Sequence, residues 1–252
     1  MASAASKLGD PATALAWLQQ VAPGVDDDAV REARAHVYAR QGRMDEAQRV
    51  LRELPATTAA QRRARLLARA ALYEEFSRSH EAWTLLRDGL KANSDNAVYV
   101  YQTAMAAQRS GDSAAMERLL RRLLKSHPDD AQALNALGYT LADSGRELPE
   151  ARRLIERALQ LDPGNPFIVD SLGWLEFRSG DLPRAVQLLE QAWAARPDPE
   201  IGAHLGEVLW HAGDRDRART LLLQVHRRAA HDAMIDATLE RLGIDGAADA
   251  KH

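Results

Sequence analysis

The chain has 252 residues, with 33 Lys and Arg against 36 Asp and Glu and a net charge of −3 at pH 7. It contains no cysteine, which excludes disulfide frameworks, thiolate zinc sites and cysteine nucleophiles. The balanced charge lacks the basic excess of nucleic-acid-binding domains. No apolar run approaches the roughly 20 residues needed to cross a bilayer. We therefore expect neither a nucleic-acid partner nor direct membrane insertion. Only 5% of the residues are aromatic, whereas Ala and Leu, which are strong helix formers, make up about a third of the chain, so the composition favours an all-helical fold.

A repeat of similar length recurs along the whole chain. About five positions after each polar turn stands a small or slim residue, in the order Ala14, Ala47, Ala82, Met116, Ala151, Ala185 and Ala218. Successive members of this series are 33, 35, 34, 35, 34 and 33 residues apart. An aliphatic residue follows four positions later in every copy, and this spacing places both residues on one helical face. Each copy is therefore predicted to contain a helix that begins just after the turn.

A second helix precedes each turn and is clearest around Gly138, Gly173 and Gly206. A glycine inside a helix costs about 1 kcal/mol relative to alanine. Its recurrence at one phase of the repeat therefore predicts that two helices approach each other closely there. Prolines stand where helices are expected to end or begin, at Pro128, Pro149, Pro163, Pro183 and Pro197.

In chain order, these signals predict one array over residues 1–252. It contains a half repeat at about 8–22, six repeats at about 26–58, 61–94, 97–130, 131–165, 166–199 and 200–228, and a cap helix at about 232–242. An array that begins halfway through a helical hairpin is expected to be a fragment of a longer protein. The alternative is that the first 22 residues form a natural cap.

No catalytic motif is recognisable in the sequence. Gly-rich phosphate loops, nucleophile elbows and the usual zinc and calcium spacings are all missing. His204, Glu207 and His211 share one helical face, but no fourth ligand is evident, so we interpret them as polar residues on an open face. The sequence therefore predicts a chain that is not an enzyme and needs no metal or cofactor.

A row of arginines, Arg62, Arg65 and Arg69, follows one face of another predicted helix. Such a row could dock an acidic partner. The alternative is a solvated helix face interleaved with acidic residues, which is the more common meaning of this pattern.

The recurring Leu-Gly, alanine and proline positions resemble the tetratricopeptide repeat, a helical hairpin of 34 residues. The likeness is strongest from Asp129 to Arg228 and weakest from Asp26 to Asn93. It implies a right-handed superhelix of about six hairpins, with a half repeat at the N-terminus and a capping helix at the C-terminus.

In that family the first helices line a concave groove that binds protein partners. Here the resemblance assigns the groove to Tyr101, Met105, Arg109, Asn135, Tyr139, Asp170, Trp174, Phe177, Arg178, His204, Glu207 and Trp210. We expect the Trp174 side chain to be exposed in this groove. The alternative is that it packs against the neighbouring helix.

The resemblance to one group within this family is more specific, and it lies in three segments, Asn135–Asp143, Asp170–Trp174 and Asp198–Trp210. They are similar to the C-terminal half of Gram-negative outer-membrane tetratricopeptide lipoproteins, at least one of which is an adaptor of a carboxyl-terminal processing protease. The resemblance implies an adaptor that binds this protease or its substrate in the periplasm, tethered to the outer membrane in the full-length protein.

Two alternatives to this adaptor role stay open. The chain could be the non-catalytic arm of a larger envelope enzyme, a peptidase or a glycosyltransferase, or part of a polysaccharide-secretion complex. A cytoplasmic location is the alternative to the periplasm.

Overall fold

The computed structural model describes residue 18 and residues 27–229 and 232–245, and within these residues all regular structure is helical. The α-helices are α1 (Asp27–Arg40), α2 (Met44–Arg52), α3 (Ala59–Glu75), α4 (Ser79–Gly89), α5 (Ala97–Arg109), α6 (Ser113–Ser126), α7 (Ala131–Asp143), α8 (Leu148–Leu161), α9 (Pro166–Ser179), α10 (Leu182–Ala195), α11 (Pro199–His211), α12 (Arg215–Arg228) and α13 (Ala233–Leu242). A short 3₁₀ helix, Leu90–Asn93, follows α4. The predicted all-helical fold of repeated hairpins is confirmed.

Consecutive helices form the hairpins, so that odd-numbered helices up to α11 are first helices and even-numbered helices are second helices. The predicted half repeat at about 8–22 lies outside the described residues except for Leu18, which is helical and packs in a buried cluster with Val37. At the other end, α13 begins after its N-cap Asp232 and has no second helix within the described residues.

The turns combine a glycine with an acidic N-cap. Gly180 ends α9 with a φ of 91°, a left-handed conformation that a residue with a Cβ rarely adopts. Asp181 follows, and its carboxylate accepts a hydrogen bond of 3.1 Å from the Arg184 backbone N–H at the start of α10. Glycine thus ends the first helix of the hairpin, and the aspartate after it caps the start of the second.

Helical glycines mark the closest contacts between the two helices of a hairpin. A Cβ on Gly173 would lie 2.7 Å from Cγ of Leu189, and one on Gly138 would lie 2.6 Å from Cγ1 of Ile155. Both distances are shorter than any van der Waals contact allows. The close approach that the glycine phase predicts is confirmed.

The chain divides into two compact units, residues 1–123 and residues 124–252. In the second unit, which we call unit 2, each hairpin packs on the next, and the first helices α7, α9 and α11 contact one another in that order. Helix α13 then packs against α11 and α12. Side chains of four helices, α7, α9, α11 and α13, thereby face a common region of unit 2.

Candidate functional site

These four helices of unit 2 border a cleft of about 330 Å³, which we call the unit 2 cleft. It is lined by Tyr139, Asp143, Trp174, Arg178, His204, Glu207, Met234, Ala237, Thr238 and Arg241. Five of these residues, Tyr139, Trp174, Arg178, His204 and Glu207, belong to the predicted partner-binding set.

A buried ion pair lies beneath the cleft. Nδ1 of His204 on α11 donates a hydrogen bond of 2.9 Å to Oδ2 of Asp170 on α9. The two residues are only 1% and 3% exposed. Nε2 of the same ring lies 3.2 Å from the Tyr139 hydroxyl on α7. One imidazole thus connects three successive first helices.

The electrostatics of this pair favour a charged imidazole. Burial by itself lowers the pKa of His204, but the adjacent Asp170 carboxylate, with Glu200 and Asp143, opposes this effect and raises the pKa above its ordinary value. Burial also raises the pKa of the neighbouring Tyr139 hydroxyl, and the negative charge of Asp143 adds to this shift. Tyr139 therefore stays neutral beside the charged pair.

Trp174 forms the apolar wall of the cleft. Its indole stacks on the His204 ring with centroids 4.3 Å apart, and its Nε1–H donates a hydrogen bond of 3.1 Å to Oδ1 of Asp143. The ring of Phe177, on the same helix, lies with its centroid 5.0 Å from that of the indole. The side chain is only 5% exposed, so the expectation that Trp174 stands open in a groove is wrong. Packing by His204 and Phe177 is the physical reason.

Glu207 binds the last helix. The Arg241 guanidinium donates to both carboxylate oxygens of Glu207, with Nε 3.1 Å from Oε1, and also to the Thr238 hydroxyl at 3.2 Å. Glu207 is 7% exposed. The interpretation of His204 and Glu207 as polar residues on an open face is therefore wrong, because each is covered by an ionic partner from a neighbouring helix. His211 alone of that row is exposed.

Arg178 differs from the other charged residues around the cleft. It is exposed at the rim, one helical turn beyond Trp174, and within the described part of the chain it makes no hydrogen bond or ion pair. By contrast, His204 and Arg241 have carboxylate partners, and Asp143 accepts from Trp174. The cleft therefore presents one uncommitted positive charge.

The other predicted site residues do not line the unit 2 cleft. Asp170 lies beneath it, bonded to His204, while Asn135 and Phe177 are partly buried on the same helices. Trp210 is packed under the Arg215 guanidinium at 5.0 Å. Tyr101, Met105 and Arg109 belong to α5 in the other unit, where Arg109 pairs with Glu74 at 2.7 Å. The role of all these residues in partner binding stays a prediction.

The arginine row on α3 has a local explanation. Arg62 donates to the Thr57 carbonyl at 2.9 Å, and Arg65 donates to the Arg52 carbonyl at 2.9 Å. Arg69 donates to the Gln48 side chain at 2.9 Å. These side chains hold the end of the preceding hairpin, which disfavours a docking role. Among the described residues, no cluster of three His, Asp or Glu side chains could hold a metal ion.

Five residues of the cleft are absent from the predicted partner-binding set, namely Asp143, Met234, Ala237, Thr238 and Arg241. A signal for Arg241 existed, because it follows Glu207 by 34 residues, one repeat length. Asp170 and His204 are separated by the same 34 residues. Oppositely charged residues one repeat apart thus identify contacts between neighbouring repeats.

Comparisons with known proteins agree with this architecture. Three family models, each described as "Tetratricopeptide repeat", match the chain. The first matches residues 101–166, the second matches residues 144–201 and 176–242, and the third matches residues 1–20 and 29–53. A crystal structure of a tetratricopeptide repeat protein from Parabacteroides merdae superposes with a TM-score of 0.70 at 16% identity, over 96% of each chain. In the described ranges, no helix is long and apolar enough to span a membrane.

Two curated relatives extend the comparison. The chain is 38% identical over 198 residues to the TPR repeat-containing protein PA4667 of Pseudomonas aeruginosa. The matched region covers 79% of this chain and 34% of that protein. It is 30% identical over 145 residues to the cellulose synthase 2 operon protein C of Komagataeibacter xylinus, covering 56% of this chain and 11% of that protein. The chain thus spans about a third of the length of the first relative and about a tenth of the second. The matched repeats and the helical hairpins together place the chain in the tetratricopeptide repeat family.

Proposed function

We propose that the chain is a non-catalytic interaction scaffold and that the unit 2 cleft binds a segment of a protein partner. The observation that carries the proposal is the uncommitted positive charge of Arg178. The other two cations of the cleft, His204 and Arg241, are paired with buried carboxylates and form a fixed network. A guanidinium with free N–H groups fits a carboxylate of the partner. The adjoining side chains of Met234 and Ala237 fit an apolar side chain next to that carboxylate.

The network supports the proposal because it fixes the shape of the cleft before binding. His204 holds Asp170 and Tyr139 together, and Arg241 holds α13 to α11 through Glu207. Side chains that are already ordered lose little entropy when a partner binds. The conformational cost of association is therefore small at this site.

For the partner we propose a carboxyl-terminal processing protease or its substrate, in the periplasm. The support is the likeness of Asn135–Asp143 and Asp198–Trp210 to outer-membrane tetratricopeptide lipoproteins. Both segments contribute to the cleft, through Tyr139 and Asp143 in the first and through His204 and Glu207 in the second.

A quantitative capture assay tests this function. The chain is immobilised and exposed to a purified, catalytically inactivated processing protease, with the wild type compared with Arg178→Glu. Reversing the charge at the rim should weaken capture by about tenfold or more. Arg153→Glu is the matched control, because Arg153 is an exposed arginine on α8 outside the cleft. Equal capture by all three chains would exclude the unit 2 cleft as the protease site.

A second candidate function is favoured by the relative from a cellulose synthase operon. The chain would then be the repeat arm of a polysaccharide-secretion complex or of an envelope glycosyltransferase. The full-length gene product distinguishes the two functions. A catalytic or secretion domain joined to these repeats supports the second candidate, and a lipoprotein signal followed only by repeats supports the adaptor.

A further inference from the structure

A second and larger hollow lies in unit 2, away from the cleft. It occupies about 520 Å³ between the second helices α10 and α12, and we call it the α10–α12 groove. It is lined by Glu190, Trp193, Leu205, Leu209, Asp216, Arg217, Thr220, Leu221 and Gln224. None of these residues lines the unit 2 cleft.

The floor of the groove is apolar. Leu205 and Leu209 of α11 are buried beneath it, and Trp193 and Leu221 remain partly exposed on its walls. Gly202 makes room for the indole, since a Cβ there would lie 2.9 Å from Cζ3 of Trp193. The missing side chain lets Trp193 lie close to α11 while part of its surface stays open.

The rim of the groove is polar and mostly paired. The Arg217 guanidinium donates to Glu190 of the neighbouring second helix at 2.7 Å and to Asp214 at 3.1 Å. Asp216 is exposed and, within the described residues, its carboxylate has no ion pair. The groove therefore combines an apolar floor with one uncommitted negative charge.

We infer that the α10–α12 groove is a second docking site, which takes an amphipathic segment of a protein partner. The segment places an aliphatic side chain between Trp193 and Leu221 and a lysine or arginine at Asp216. Charge complementarity selects the cation, and the partly exposed indole of Trp193 offers it an aromatic surface as well. An apolar centre with a polar rim is the usual anatomy of a protein interface. This site is independent of the proposed carboxylate site at Arg178.

A defined peptide probe tests the inference. Random 15-residue peptides displayed on phage are selected on the immobilised chain, and a selected peptide is labelled and titrated by fluorescence anisotropy. We expect the selected peptides to combine an aliphatic residue with a nearby lysine or arginine. Asp216→Lys should weaken binding about fivefold, and exchanging the peptide's lysine for glutamate should restore affinity for this variant.

Two further variants separate the groove from the cleft. Thr220→Trp, at an exposed position of the groove wall, should block the peptide sterically, whereas Arg178→Glu should leave its affinity unchanged; circular dichroism verifies that each variant is folded. The inference is overturned if the peptide binds Asp216→Lys and Thr220→Trp as tightly as the wild type, or if Arg178→Glu abolishes binding instead. Dimers in sedimentation that Thr220→Trp dissociates would also overturn it, because a second copy of the chain would then cover the groove.

Discussion

His204 and Asp170 form a buried ion pair between two neighbouring repeats, with Nδ1 and Oδ2 2.9 Å apart. Removing two charges from water is costly, and their mutual attraction offsets this cost only when the geometry is good. Here the imidazole also meets the Tyr139 hydroxyl and the Trp174 ring. The pair therefore links the stability of unit 2 to the protonation of one histidine.

The stability of unit 2 should fall as the pH rises. Burial lowers the pKa of His204, but Asp170, Glu200 and Asp143 together raise it by more, so the folded protein holds this proton more tightly than the unfolded chain. The resulting stabilisation is complete below the unfolded pKa of about 6.5 and is lost as the pH rises through the higher folded pKa. Urea unfolding followed by tryptophan fluorescence at several pH values measures this trend. His204→Gln should flatten it, and the exposed His211→Gln should not.

Gly173→Leu should destabilise the hairpin of α9 and α10. Any side chain at this position meets Leu189 at 2.7 Å from its first carbon, so overpacking is expected to cost on the order of 1–3 kcal/mol. Thermal and urea unfolding measure the loss. Ala195→Leu, at an exposed position near the end of α10, is the control for adding the same side chain. Unchanged stability of Gly173→Leu would contradict the packing described for this glycine.

Trp174→Ala should act mainly on folding. The indole is buried against His204 and Phe177, and removing a buried tryptophan typically costs about 3–5 kcal/mol. Trp174→Phe retains most of the packing and loses the hydrogen bond to Asp143, so a smaller loss of about 1–2 kcal/mol is expected. Urea unfolding of both variants gives the comparison. Equal losses would show that the hydrogen bond outweighs the packing.

Arg241→Ala should loosen α13 from α11. The variant leaves the largely buried Glu207 carboxylate without its guanidinium, and because Arg241 itself is half exposed the expected cost is only about 1 kcal/mol. Hydrogen exchange measured by mass spectrometry should show faster exchange in residues 233–242. Arg219→Ala, an exposed arginine on α12, should leave exchange in α13 unchanged. Equal exchange in both variants would mean that apolar contacts alone hold the helix.

The hairpin fold was predictable because its signals are local and periodic. The spacing from Ala151 to Ala185 to Ala218 gives the repeat length, and Gly173 gives the closest helix contact. Burial at the site was not predictable in the same way. Trp174 occupies a position of a first helix that faces a groove in the family, and the ring of His204 from the next repeat covers it together with Phe177. Such coverage depends on the identity of one residue a full repeat away, so the periodic pattern does not contain it.

The sequence nevertheless contains a signal that His204 is buried and paired. This residue lies in an apolar stretch from Ile201 to Leu205, where a polar residue requires a buried partner. Counting back one repeat length reaches Asp170. The unpaired state of Arg178 had no comparable signal, because the absence of a partner follows from the whole arrangement of the cleft.

The ionic contacts one repeat apart have a consequence for how this chain can evolve. In an array of interchangeable copies, a hairpin can be duplicated, deleted or exchanged at little cost. Here a deletion of the hairpin of α9 and α10 would leave His204 facing Asn135 instead of Asp170, and moving the hairpin of α11 and α12 would separate Glu207 from Arg241. Either rearrangement would bury a charge without its counterion. The polar contacts therefore fix the position of each hairpin of unit 2 in the array. We expect the order of these hairpins to be conserved together in evolution.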